Sequence, residues 1–148
     1  MRIYLDLCCF NRPYDDQNQT RIRLETEAKF VLQQKVRDGQ CQLVWSAILD
    51  YENEKSPFPE HRKAIAQWRR LAVSHVRADD AVLENARNLQ TQGLTAFDAL
   101  HVASAMRAGA ELFVSTDDRL IRKLRVQRDI KALLPGDALA CLENWYEN

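Results

Sequence analysis

A chain of 148 residues, 46% hydrophobic and 28% charged, has the make-up of one globular domain long enough to bury a sizeable core. Its 21 basic and 21 acidic residues cancel, which excludes a protein that coats polyanions by bulk charge and leaves room only for a local basic patch. No apolar run approaches the ~18 residues of a membrane span and no secretion signal opens the chain, so a cytoplasmic protein with no membrane contact is expected. Cys8, Cys9, Cys41 and Cys141 show no C-x-x-C spacing. Reduced, semi-buried thiols are expected from them, and ligation of a metal through sulfur is not.

The chain runs straight into MRIYLDL, and translation is expected to start where the fold starts. RIYLDL (2–7) reads as a strand and NRPYDDQNQ (11–19) as a polar turn. Leu24, Ala28, Val31, Leu32 and Val36 recur near helical spacing over 20–38, with Gly39 as the stop. QLVWS (42–46) reads as a second strand, Ser46 as the cap of a helix over 47–54, and SPFP (56–59) as its break. Residues 60–74 predict a helix with Ile65, Trp68 and Leu71 on one face, followed by a short strand HVRA (75–78). Asp79 caps a helix reaching Gln92, and Gly93 ends it. A helix over 96–108 follows, then the strand ELFVS (111–115) and a turn with a short helix in TDDRLIRKLR (116–125). IKALL (130–134) is a last strand, PGD a turn, and 138–146 a closing helix. Strands alternating with helices predict an α/β fold of three layers, a mostly parallel central sheet with helices on both faces. No internal repeat, low-complexity segment or linker divides it.

The helix over 96–108 poses a question. Its only polar residues are Asp98, His101, Ser104 and Arg107. Their spacing makes the polar stripe drift, so that Asp98 and Arg107 end on roughly opposite sides. If Arg107 meets water, Asp98 points inward. A bland reading exists, since Thr95-x-x-Asp98 resembles a capping box and a carboxylate suits the first turn of a helix.

Other acids argue for more. In open α/β sheets, ligands lie beyond the carboxyl ends of the strands. Asp6 lies near the end of the first strand, Glu52 in the helix after the second, and Asp117 just after ELFVS. Asp98 opens its own helix, at the same edge. Each alone has an ordinary account, as a turn acceptor, a solvated residue or a helix cap. Together they repel, by about 4 kcal/mol per pair at 4 Å with an effective dielectric near 20, and a cation relieves that. Hard oxygen donors suit Mg²⁺ or Mn²⁺, and a metal held at a strand edge suits phosphoryl chemistry.

The stretches YLDLCCFNRPYDDQ, LVWSAILDYE and FDALHVASAMRAGAELFVSTDDRL, in this order, resemble a PIN domain of the VapC-type toxin nucleases. The resemblance covers nearly the whole chain and implies a single PIN-like domain, 1–148. The family's acids fall on Asp6, Glu52, Asp98 and Asp117, and Ser115 fills its Ser/Thr position. Leu7 departs from the pattern, which commonly has a hydroxyl there, and the long NRPYDDQ loop marks a subgroup. The resemblance implies a Mg²⁺- or Mn²⁺-dependent endoribonuclease. A metal-activated water would cut RNA phosphodiesters to leave 5′-phosphate and 3′-hydroxyl ends. It further implies an antitoxin protein as partner, and a homodimer with the helices after the first strand in its interface.

Arg119, Arg122, Lys123, Arg125, Arg128 and Lys131 follow the last acid, and Arg12 follows the first. Arg12 and Arg119 are the best candidates for RNA phosphates, while the distal ones also fit a solvated helix with Leu120, Ile121 and Leu124 inward. The acid pair Asp15 and Asp16 fits an exposed turn, and the basic run 61–70 a surface or an oligomer contact. His101 reads as a packed, satisfied histidine that could also donate to Asp98 or a phosphate. Trp45, Trp68 and Trp145 read as core or interface residues. Two alternatives stay open. One is a catalytically weak PIN-like module that acts by binding a protein. The other is a receiver-type phosphoacceptor, which would want an acid pair on the first strand and an Asp ending the third. A dinucleotide enzyme lacks its G-x-G-x-x-G.

Overall fold

The structure, a computed structural model, describes residues 1–147. Five strands make one sheet, parallel throughout: β1 (Arg2–Leu5), β2 (Gln42–Ser46), β3 (Ser74–Val76), β4 (Leu112–Val114) and β5 (Lys131–Leu133). Their order is β3-β2-β1-β4-β5. Around them lie α1 (Leu7–Asn11), α2 (Thr20–Arg37), α3 (Ala47–Glu54), α4 (Pro59–Ala66), α5 (Asp80–Thr91), α6 (Ala96–Arg107), α7 (Asp118–Leu124) and α8 (Pro135–Glu143). This is the α/β architecture expected. The strand order differs from the 2-1-3-4-5 of receiver-type sheets, so the phosphoacceptor alternative loses its scaffold.

Register explains the layering. Tyr4 pairs with Val44 and with Phe113, so these three point to one face. There Tyr4 stacks on Phe113 and reaches His101 of α6. The opposite face carries Trp45, met edge-on by Phe10 of α1, over which Lys29 of α2 lies. Both faces being covered, the strands are apolar without alternation, and Ile3, Tyr4, Leu5, Leu43, Val44 and Phe113 are fully buried. Trp68 packs partly buried against this core, whereas Trp145 is exposed.

Several boundaries differ from the sequence-based expectation. β1 stops at Leu5, and Asp6 caps a short helix, α1, absent from the expectation of a strand over 2–7 and a polar turn over 11–19. Asp6 is a strong N-cap type, its side chain accepts from the Leu7 N–H at 2.9 Å, and the turn beyond it buries Leu7, Cys9 and Phe10. The helix expected over 60–74 tightens into a 3-10 turn at Gln67–Leu71. PGD belongs to α8, since Pro135 fits the first helical position, and the helix closes at Asn144 in the left-handed region.

The buried stripe of α2 is Glu25, Thr26, Ala28, Lys29, Leu32, Gln33 and Val36. Leu24 and Val31, expected inward, are 56% and 40% exposed. The helix is rotated because polar groups are held inside: Glu25 accepts from Arg12 at 2.7 Å, and Lys29 lays its ammonium over the Phe10 and Phe30 rings. The cysteines form no disulfide. Among the described residues no helix is long and apolar enough to cross a membrane.

Candidate active site

From β1 the chain winds outward through β2 to β3, then returns to build β4 and β5 on the other side. The reversal lies between β1 and β4, and the crevice beyond their carboxyl ends is the usual ligand position of such sheets. Asp6 stands there. Its N–H donates to the Val114 carbonyl at 2.9 Å, the last bond of the β1–β4 ladder. From β4 the Ser115 hydroxyl donates to Asp6 Oδ2 at 3.0 Å, and Ser115 Oγ accepts from the Asp117 N–H at 3.1 Å. One buried serine thus ties the backbone of Asp117 to the carboxylate of Asp6. Asp117 itself is exposed and caps α7, accepting from the Arg119 and Leu120 N–H groups.

Asp98 enters from α6. Its N–H donates to Thr95 Oγ1 at 3.2 Å, so the cap is real. Its carboxyl is half-buried, and burial pushes its pKa up, with the charges of Asp6 and Asp117 adding to the rise. Capping and an inward-facing carboxylate coexist in this one residue.

Glu52 enters from α3, which starts at the Ser46 cap directly after β2. Its Oε1 lies 2.6 Å from His101 Nε2, and that nitrogen is also 3.8 Å from Asp6 Oδ1. His101 Nδ1 lies 2.6 Å from the Tyr4 hydroxyl, which lies 2.6 Å from Ser46 Oγ. The imidazole is buried. Burial alone lowers its pKa, but the bond to Glu52 and the charges of Asp6, Glu52 and Asp98 outweigh that and raise it. Burial raises the Tyr4 phenol well above its ordinary range, so Tyr4 stays a neutral donor. Sequence reading placed His101 one turn from Asp98 and had no signal for Tyr4, an interior strand residue among apolar neighbours.

Cys8 is a second residue the sequence reading missed. Its thiol lies 3.5 Å from Asp6 Oδ2 and 3.4 Å from Ser115 Oγ, and its sulfur accepts from the Thr116 N–H at 3.3 Å. It supplies beside Asp6 the polar contact that Leu7, packed into the core, does not.

The two arginines fare differently. Arg12 donates to Glu25 at 2.7 Å and to Asp15 at 3.1 Å, fastening the 11–19 loop to α2. Arg119 is exposed beside Asp117. Farther along, Leu120, Ile121 and Leu124 turn inward, as expected, and leave Arg122, Lys123 and Arg125 in water. Arg122, Arg125, Arg128 and Lys131 border a cleft of about 820 Å³ that none of the site carboxylates lines.

The donor set is all hard oxygen, and mutual repulsion marks it, both of which suit a hard divalent cation. Among the described residues, no three His, Cys, Asp or Glu side chains close around a point as they stand. Mg²⁺ does not demand that closure, because it keeps several waters and takes one or two carboxylates directly.

The chain matches the PIN domain family model over residues 3–126. It is similar in fold to two solved assemblies. One is VapBC2 from Rickettsia felis, bound to a DNA fragment of its promoter, with 12% identity and a TM-score of 0.55 over 90% of this chain and 98% of that one. The other is DNA-bound VapBC from Salmonella typhimurium, with 15% identity and a TM-score of 0.52 over 91% and 98%. No curated protein matches the chain. With the matched span running from β1 through α7 and taking in all of the carboxylates above, the chain belongs to the PIN domain family.

Proposed function

We propose that this PIN domain is a metal-dependent endoribonuclease and the toxin of a toxin–antitoxin pair. The observation that carries the reading is geometric: at the reversal of the sheet Ser115 joins the Asp6 carboxylate to the backbone of Asp117 at 3.0 and 3.1 Å, and His101 Nε2 stands 2.6 Å from Glu52 and 3.8 Å from Asp6. Asp6, Glu52, Asp98 and Asp117 would hold one or two Mg²⁺ or Mn²⁺ ions. When bound, the ion supplies positive charge for the phosphate oxygens and lowers the pKa of a water. The chain's own residues do the rest. Ser115 and Cys8 fix the Asp6 carboxylate, His101 fixes Glu52, and Arg119 would meet a neighbouring RNA phosphate. Arg12 would contribute by ordering the loop beside Asp6.

The fold neighbours are toxin–antitoxin assemblies, and this supports an antitoxin as protein partner. Leu24 and Val31 lie two turns apart on one exposed face of α2, with Phe30 beside them, and this supports a homodimer through α2. A cytoplasmic site of action fits both. Purified protein with total RNA should give fragments bearing 5′-phosphate in Mg²⁺ or Mn²⁺ and none in EDTA. Intact RNA under every condition would overturn the reading.

A further inference from the structure

Two large aromatic rings stand half in water at the rim of the acid cluster. Tyr51 of α3 and Phe97 of α6 are 50% and 43% exposed, with ring centroids 6.0 Å apart and planes tilted by 33°. Tyr51 immediately precedes Glu52, and Phe97 immediately precedes Asp98. Their contact bridges α3 and α6, as the Glu52–His101 bond does one step deeper. The ammonium of Lys55 lies 4.3 Å from the Tyr51 centroid and 5.0 Å from that of Phe97. Phe97 lies one turn before His101 on α6, so the ring pair adjoins the Glu52–His101 bond, and Lys55 adds one cation over the rings.

We infer that Tyr51, Phe97 and Lys55 form a stacking platform for an unpaired nucleobase of a single-stranded RNA whose phosphate lies over the acid cluster. The inference rests on the nuclease reading and adds the side chains that hold a base beside the acids. Every base has a π face, so a ring pair binds without sequence readout. A base inside a duplex is already stacked, so the platform selects single strands, loops and bulges. Lys55 matches the backbone charge of such a strand. Two half-exposed rings make a patch well below the size of a protein–protein interface, which favours the base as occupant.

The test is binding of a labelled random-sequence single strand of phosphorothioate RNA in Mg²⁺, a hard cation that coordinates the sulfur poorly, so that the strand resists hydrolysis. The comparison strands are an abasic one of equal length and charge, and a duplex. Wild type should prefer the base-bearing single strand at least about fivefold, the lower end of what stacking on one ring contributes. Tyr51→Ala and Phe97→Ala should each reduce that preference, and Tyr51→Phe should keep it. Lys55→Ala should weaken both single strands alike. Calorimetric Mn²⁺ binding unchanged in the alanine variants would show the acid cluster intact. Variants that bind all strands as wild type does would overturn the platform, and would leave the rings as plain surface or a protein contact. Equal binding of base-bearing and abasic strands by a wild type that cuts RNA would overturn the platform alone. No binding of any strand would overturn platform and nuclease reading together.

Discussion

His101 lies 2.6 Å from Glu52 through Nε2, and a second bond of the same length joins its Nδ1 to the Tyr4 hydroxyl. The pair of bonds fixes the proton pattern of the neutral ring. A carboxylate only accepts, so Nε2 carries the hydrogen, Nδ1 accepts from Tyr4, and Tyr4 accepts from Ser46. Glu52 is thus aimed from the strand below it. Tyr4→Phe keeps the ring stacked on Phe113 but strips the hydroxyl, leaving His101 Nδ1 without a donor and the Ser46 hydroxyl without this acceptor. Thermal or denaturant unfolding should show a loss of about 1–3 kcal/mol. RNA cleavage should fall about 10–100-fold, as when a partner behind a metal ligand is removed.

Asp98 should cost stability when no metal is bound. Its carboxyl titrates above its ordinary value through burial and the charges of Asp6 and Asp117. Between the ordinary and the raised value the native state binds more protons than the unfolded chain. The group therefore favours folding at low pH, and that contribution is lost as pH rises through the raised value. At neutral pH in EDTA, Asp98→Asn should unfold at a higher temperature than wild type, and the gain should vanish below the ordinary carboxylate range. Mn²⁺ should raise the midpoint of wild type more than that of the variant. An Asn variant less stable than wild type in EDTA would contradict the coupling.

Lys29 makes the opposite pH signature. Burial presses its ammonium down to about 8, with the Arg37 charge adding to the drop and Cys9 opposing it. Above that value the native state sheds a proton that the unfolded chain keeps until about 10.4, so stability rises with pH over that window. Lys29→Met should be more stable than wild type at neutral pH and should lack the rise, as denaturant titrations at stepped pH would show.

The exposed face of α2 predicts the assembly. Leu24→Asp or Val31→Asp should shift the protein from dimer to monomer in analytical ultracentrifugation and leave the monomer folded, because neither side chain is part of the core. A wild type that sediments as a monomer would remove the dimer.

The acids were legible because their positions follow from topology: a residue that ends a strand or opens a helix has its place once alternation is read. Asp6, Glu52, Asp98 and Asp117 needed no contact information to be assigned to one edge. Their supports were not legible. Tyr4 is indistinguishable by pattern from any buried strand residue, and its role exists only through bonds to residues 42 and 97 positions away. Cys8 fell in the unassigned stretch between the strand expected over 2–7 and the turn from 11, because the cap at Asp6, which turns the chain into α1, competes on equal terms with strand propensity. The phase of α2 failed for a related reason. Hydrophobic spacing put Leu24 and Val31 inside, whereas ion pairing of Glu25 and the long stem of Lys29 made a polar stripe burial-competent.

RNA cleavage by wild type, Asp6→Asn and Asp98→Asn side by side, in EDTA, Mg²⁺ and Mn²⁺, decides whether these acids hold the metal that cuts RNA. Cleavage should require metal, belong to wild type and be lost from both variants, since each substitution removes a charge-bearing oxygen donor while keeping shape. Cleavage at wild-type rate by either variant would contradict that role and would leave Asp98 as the cap of a helix.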